Sequence, residues 1–134
     1  MTTSGQPHER PDDAPADLWL VVAVIPAFRL DVVILALEPL EGFAGVTVTD
    51  CCGFGRDKVG DDRKGGPAAE RRVGNFIDTV RLEVVIAGRH RMNAVLDTIV
   101  RAAHTGNRGD GMAVAWPVSR FVRVRTFDEG PNGL

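Results

Sequence analysis

Residues 92–111, MNAVLDTIVRAAHTGNRGDG, carry two signals in direct succession. Met92, Val95, Leu96, Ile99, Val100 and Ala103 recur at spacings of three and four, with Asn93, Asp97 and Arg101 opposite, which predicts an amphipathic helix. The helix runs into Thr105-Gly106-Asn107-Arg108-Gly109-Asp110-Gly111, with three glycines inside six residues. Gly106 is placed to stop the helix. Glycine admits positive φ and close approach to the main chain, and successive N–H groups in such a turn can converge on an anion. Two readings stand side by side here: a helix stop followed by a tight turn, and a phosphate cradle. The segment is not a Walker loop, because no Lys-Ser/Thr ends it and an apolar strand pattern follows in place of a helix.

Working outward, Met112 to Val118 is a strand pattern, followed by Phe121-Val122-Arg123-Val124-Arg125. The latter alternates with period two, so a short fifth strand is expected, with Phe121, Arg123 and Arg125 on one face. Arginine is permanently charged and forks onto phosphate oxygens. A paired-arginine strand so near a glycine turn suggests a nucleotide site; the other reading is an edge strand whose charge opposes aggregation.

Upstream of the helix, Val80, Leu82, Val84 and Ile86 alternate with Thr79, Arg81, Glu83 and Val85, a third strand. Leu18 to Ile25 is an unbroken apolar run ended by Pro26, of a length that suits a buried strand. Leu30, Val33, Ile34 and Leu37 mark a helix over about Arg29 to Glu38, closed by Pro39 and Gly42. Ala44 to Gly55 alternates around Val46 and Val48, giving the second strand. The order β-α-β-loop-β-α-β is that of an α+β, ferredoxin-like split βαβ domain. Its helices would cover one sheet face, and oligomerisation is the simplest cover for the other.

Between residues 56 and 75 periodicity vanishes among glycines and charges. Loops this long in a compact domain are usually functional or disordered. A mobile partner-binding loop is the preferred reading, and a tolerated insertion the other. Residues 1–16, rich in Pro, Asp, Ser and Gly, read as a disordered N-terminal tail. The domain is then expected over 17–127, followed by a short tail at 128–134.

Composition excludes several classes. Hydrophobic content of 44% and charged content of 25% are those of an ordinary globular chain. A formal net charge of −2, without a basic stripe, argues against a nucleic-acid partner. No apolar run reaches a membrane-spanning length and no signal peptide is visible, so a cytoplasmic location is expected. Cys51 and Cys52 are adjacent and would point to opposite strand faces, so they read as packing residues without a disulfide. No soft-ligand spacing suggests a metal centre. No histidine lies within motif distance of a carboxylate and a nucleophile, so an enzyme is not expected.

The stretches Phe28-Arg29-Leu30-Asp31, Gly45-Val46-Thr47-Val48-Thr49, Gly53-Phe54-Gly55-Arg56, the glycine turn 105–111 and Val122-Arg123-Val124-Arg125-Thr126 occur in one order. In this the chain resembles the PII signal-transduction proteins of nitrogen regulation. The resemblance covers nearly everything from Leu18 to Thr126. It implies a homotrimer of ferredoxin-like subunits that binds adenine nucleotides (ADP, AMP or ATP) in the clefts between neighbours. Thr105, Gly106, Arg108, Gly109, Asp110 and Gly111 would belong to the turn around the phosphates, Arg123 and Arg125 would reach in from the adjacent subunit, and Thr47 with Gly53, Phe54, Gly55 and Arg56 would form the adenine and phosphate wall. Residues 56–75 would be the family's T-loop, which docks on a membrane transporter or a metabolic enzyme. Asp57, Lys58, Arg63, Lys64, Arg71 and Arg72 are its candidate effector and partner residues.

The chain also departs from the family pattern. Asp57 replaces the glutamine that follows Gly-Phe-Gly-Arg. A carboxylate is compatible with magnesium but would repel the dicarboxylate 2-oxoglutarate. Thr79 stands where the effector-binding lysine is expected, and Met112 where a lysine follows the glycine turn. The chain contains no tyrosine, so the uridylylation site of typical members is missing. The alternatives are a PII-like sensor of adenylate together with bicarbonate, a regulator of another transporter, and a slow nucleotide hydrolase built on Asp57, Lys58 and Asp110.

Overall fold

The computed structural model describes residues 17–53 and 77–134. The expected N-terminal tail and the expected loop from 56 to 75 lie outside these residues, as do Phe54, Gly55, Arg56, Asp57, Lys58, Arg63, Lys64, Arg71 and Arg72.

The apolar run forms β1 (Leu18–Pro26), and Pro26 passes the chain into a 3-10 turn (Ala27–Arg29) and α1 (Leu30–Leu37). β2 spans Thr47–Gly53, β3 Ile77–Ala87, α2 Arg89–Ala103 and β4 Met112–Pro117. The strands make one antiparallel sheet in the order β2-β3-β1-β4, so β1 is central and β2 and β4 are the edges. This is the ferredoxin-like α+β arrangement expected from the element order.

Register decides which side chains share a face. Val21, Ala23 and Ile25 lie beside Val84, Leu82 and Val80. That face is covered by Val33 and Leu37 of α1 and by Met92, Val95, Ile99 and Ala103 of α2, all buried. Each such aliphatic side chain contributes roughly 1.5–3 kcal/mol when fully buried, so this layer between sheet and helices holds the domain together. Val100 departs from the expected stripe and is 49% exposed. At 100° per residue it lies one step past Ile99, beyond the arc that the sheet covers.

The two helices are also braced directly. The Arg29 guanidinium donates from Nε and Nη2 to the Ala102 carbonyl at 3.1 and 2.6 Å. Ala102 is in the last turn of α2, where carbonyls lack an intrahelical partner.

The expected fifth strand does not form. Val122 makes only an isolated bridge with Glu129. Arg123 N–H donates to Asp128 O, and Phe127 N–H to Arg123 O, both at 2.8 Å. Among the described residues the alternation in 121–125 has no neighbouring strand to satisfy its backbone groups, and the segment closes on itself as a narrow loop. Phe127 turns the corner at φ 65°. The residues read as a tail, 128–134, fold back in a 3-10 turn at Gly130–Gly133, and Gly133 is buried against the Phe121 ring.

Candidate functional site: a glycine turn and an anchored arginine

The turn after α2 is organised by one side chain. The Asp110 carboxylate accepts from Thr105 N–H at 2.7 Å and from Gly106 N–H at 2.9 Å, and the Thr105 hydroxyl donates to its other oxygen. Asn107 N–H donates in turn to the Thr105 hydroxyl at 3.1 Å. The Thr105 hydroxyl and amide, then the Gly106 amide and the nearby His104, hold the Asp110 carboxyl below the ordinary carboxylate range, against the opposing effect of burial. Asp110 is thus the internal brace of the turn, and the amides of Thr105, Gly106 and Asn107 are used within it.

The three glycines are conformational necessities. Gly106, Gly109 and Gly111 have φ of 85°, 88° and 97°, a region in which residues with a Cβ are strained. Gly111 has a second reason, because a Cβ there would lie 1.7 Å from the Val24 carbonyl oxygen of β1. Close passage of the chain over the central strand is what launches β4. Beside the turn is a cavity of about 170 Å³ lined by Ile25, Ile99, Val100, Ala103, His104 and residues 110–113. Arg108 is exposed on the turn.

A second, wider groove of about 360 Å³ lies at the other end of β1. Its walls are Leu20, Ala44 to Thr47, Glu83, Val85, Phe121, Arg123 and Leu134. Thr47 is the first residue of β2 and is exposed, and Gly53 is the last residue of that strand. Arg123 is anchored. Its Nε donates to the Gly133 carbonyl at 2.8 Å, and its guanidinium carbon is 5.3 Å from the centre of the Phe121 ring. Arg125, which the alternation places beside Arg123 on a strand face, is instead at the exposed tip of the loop. Arg120, by contrast, donates from Nε and Nη2 to the two Glu129 carboxylate oxygens at 3.1 and 3.3 Å, which holds the Glu129 carboxyl below its ordinary range.

The structure therefore sorts the candidates into two groups that share no wall residue. Val24, under Gly111, and Leu20, in the groove, are four residues apart on β1, about 13 Å of extended chain. Within one protomer the glycine turn and Thr47 with Arg123 do not converge. Sequence reasoning missed Glu83, Phe121, Gly133 and Leu134 as parts of the second group. The signal for Gly133, a glycine between Asn132 and Leu134 at the end of a Pro-containing stretch, marks a turn but does not reveal what the turn packs against.

Further expectations concern residues of β2, β3 and β4. Cys51 and Cys52 are both free thiols. Cys51 Sγ lies 3.1 Å from the Thr79 hydroxyl, and that hydroxyl donates to the Cys51 carbonyl at 3.2 Å. Thr79 is thereby buried within the sheet. Met112, at the position where a phosphate-binding lysine is expected, is 64% exposed at the start of β4.

Comparison with known proteins agrees with this geometry. The family profile described as nitrogen regulatory protein P-II matches residues 18–128. The nitrogen regulatory protein P-II of Azospirillum brasilense is 38% identical over 114 residues, covering 85% of this chain and 97% of that protein. The Klebsiella oxytoca protein of the same name is 39% identical over 107 residues, covering 80% of this chain and 91% of its own length. The Arabidopsis thaliana homolog is 36% identical over 112 residues, or 84% of this chain, which spans 55% of that protein. The chain thus matches nearly the whole of the bacterial relatives and about half of the plant one. The crystal structure of Arabidopsis thaliana PII bound to citrate superposes with a TM-score of 0.68 at 30% identity, covering 92% of this chain and 99% of that one. With fold, turn and matched span in agreement, the chain belongs to the nitrogen regulatory protein P-II family, whose members are signal-transduction regulators and not enzymes.

Proposed function

We propose that the protein is a homotrimeric regulator that binds an adenine nucleotide between subunits and controls a transporter or metabolic enzyme through residues 56–75. The observation that carries this reading is the separation of the two half-sites. A glycine turn braced by Asp110 and a groove holding an oriented arginine lie about 13 Å apart along the same strand, so one ligand reaches both when two protomers are apposed. The exposed sheet face supplies the surface for that apposition. Met112, Val114 and Trp116 of β4 flank Val24, Val22 and Leu20 of β1 in register, and all three β4 side chains are exposed.

The ligand chemistry follows from the parts. The Gly109–Gly111 end of the turn and the terminal nitrogens of Arg123 suit anionic phosphate oxygens. The groove wall of Leu20, Val46, Val85 and Phe121 suits an apolar, planar base, and Thr47 and Glu83 supply polar groups for it. Isothermal titration of the full chain with ADP, AMP and ATP tests the reading, alongside sedimentation analysis. Micromolar binding at one site per chain by a trimer is expected. A monomer with no heat for any of the three would overturn it.

A further inference from the structure

We propose that the C-terminal 3-10 turn, Gly130–Gly133, is the positioning element for Arg123, so that nucleotide affinity depends on residues beyond the matched span of the family, which ends at 128. This rests on the nucleotide reading above and adds to it the device that prepares one of the phosphate-binding groups. Three restraints act on Arg123, two on its guanidinium and one on its backbone. Its Nε is tied to the Gly133 carbonyl at 2.8 Å. Its central carbon lies over the Phe121 ring, 5.3 Å from the ring centre. Its own backbone N–H is fixed to Asp128 O at 2.8 Å. With Nε occupied, the two terminal nitrogens remain as the forked edge that takes a phosphate oxygen pair.

The turn is itself locked in place. Gly130 N–H donates to Phe121 O at 2.9 Å. A Cβ at Gly133 would stand 2.8 Å from Asp128 O and 2.9 Å from Phe121 Cε2, so only glycine lets the carbonyl reach Arg123. Leu134 then forms part of the same groove wall. An unrestrained arginine side chain carries a large rotamer entropy that a ligand has to offset. An arginine already held in a binding orientation has lost that freedom on folding.

The test is a double-mutant cycle on the full chain, read by titration with ADP. Deletion of residues 130–134, Gly133→Ala and Arg123→Ala are each made alone, and the first two are also combined with the third. The expected result is a loss of about tenfold in affinity for the deletion and for Gly133→Ala, each with the trimer mass retained. Gly133→Ala should not weaken binding further once Arg123 is alanine, whereas the deletion, which also takes Leu134 from the groove wall, should then show a smaller loss than it does in the parent. Losses that simply multiply in the combined variants would show that the turn acts elsewhere and overturn the proposal. A rise in affinity on deletion would make the turn a brake on Arg123, which also overturns it. Absence of ADP binding by the parent chain would bring down the nucleotide reading and this inference together, whereas strong parent binding with additive losses would bring down this inference alone. Nitrogen-15 spectra of the arginine Nε–H groups give an independent readout: the Arg123 signal should exchange slowly in the parent and rapidly in both turn variants.

Discussion

A methyl group at Gly111 would overlap the Val24 carbonyl oxygen, whereas one at Gly106 would meet nothing closer than His104 Nε2 at 3.9 Å. Both residues have positive φ, so the two substitutions separate conformational strain from collision. Gly106→Ala should cost about 1–2 kcal/mol, the price of a left-handed residue with a side chain. Gly111→Ala should cost about 3 kcal/mol or more, because backbone of the central strand cannot move aside cheaply. Thermal melting of the two variants checks the order. Asp110 makes a prediction in pH. Its carboxyl titrates lower in the folded chain than the ordinary 3.8, so it stabilises fully above that value. The contribution is lost as pH falls through 3.8 towards the lower folded-state value. Asp110→Asn should therefore flatten the acid arm of the stability profile below pH 3.8. An unchanged acid arm would mean the brace carries no weight.

At the scale of elements, the stripes of both helices and the alternation of β3 were legible because they are local patterns repeated over several turns or residues. Val33, Leu37, Met92, Val95 and Ile99 are buried where the spacing places them. The fifth strand was misread for the same reason. Alternation in Phe121 to Arg125 is a real local pattern, but a strand also needs a partner with free backbone groups, and the nearest one is the chain's own return at Glu129. The brace between α1 and α2 was illegible because Arg29 and Ala102 are 73 residues apart. Arg29→Ala should cost about 1–2 kcal/mol, since it removes a charged donor from a helix-end carbonyl. Hydrogen exchange should show the last turn of α2 opening first. Residues 57–75 make a separable prediction: deleting them while keeping Arg56 should abolish partner capture and leave nucleotide affinity within about threefold. A collapse of affinity would make the loop part of the binding site.

For the whole molecule, the exposed sheet face is the surface on which the proposed assembly depends. Arg81 and Glu83 pair at 2.9 Å within it, flanked on β1 and β4 by aliphatic side chains and Trp116. Trp116→Glu, half-exposed in one protomer, should leave the subunit folded and convert the assembly to monomers. Nucleotide binding should fall with it, as measured by light scattering and titration. A monomeric variant with parental affinity would place the whole site within one chain. A second prediction concerns charge. With Met112 in place of a cation, the gain from a third phosphate is reduced. Attraction between unit charges near contact is about 4 kcal/mol at an effective dielectric near 20, and less where solvent enters. ADP or AMP should therefore bind at least as well as ATP, and titration showing tight ATP binding only with 2-oxoglutarate present would reject this.

Local order in the amino-acid sequence determined the elements, the family motifs and the identity of the glycine turn, since helix and strand periods and the φ preference of glycine act within a few residues. Tertiary structure alone decided that Gly111 must be bare because β1 passes beneath it, that Arg123 is held by Gly133 and not by a strand, and that the turn and the arginine belong to different regions of one protomer. Those outcomes depend on which distant segments come into contact, and contact between distant segments is settled by packing of the whole chain.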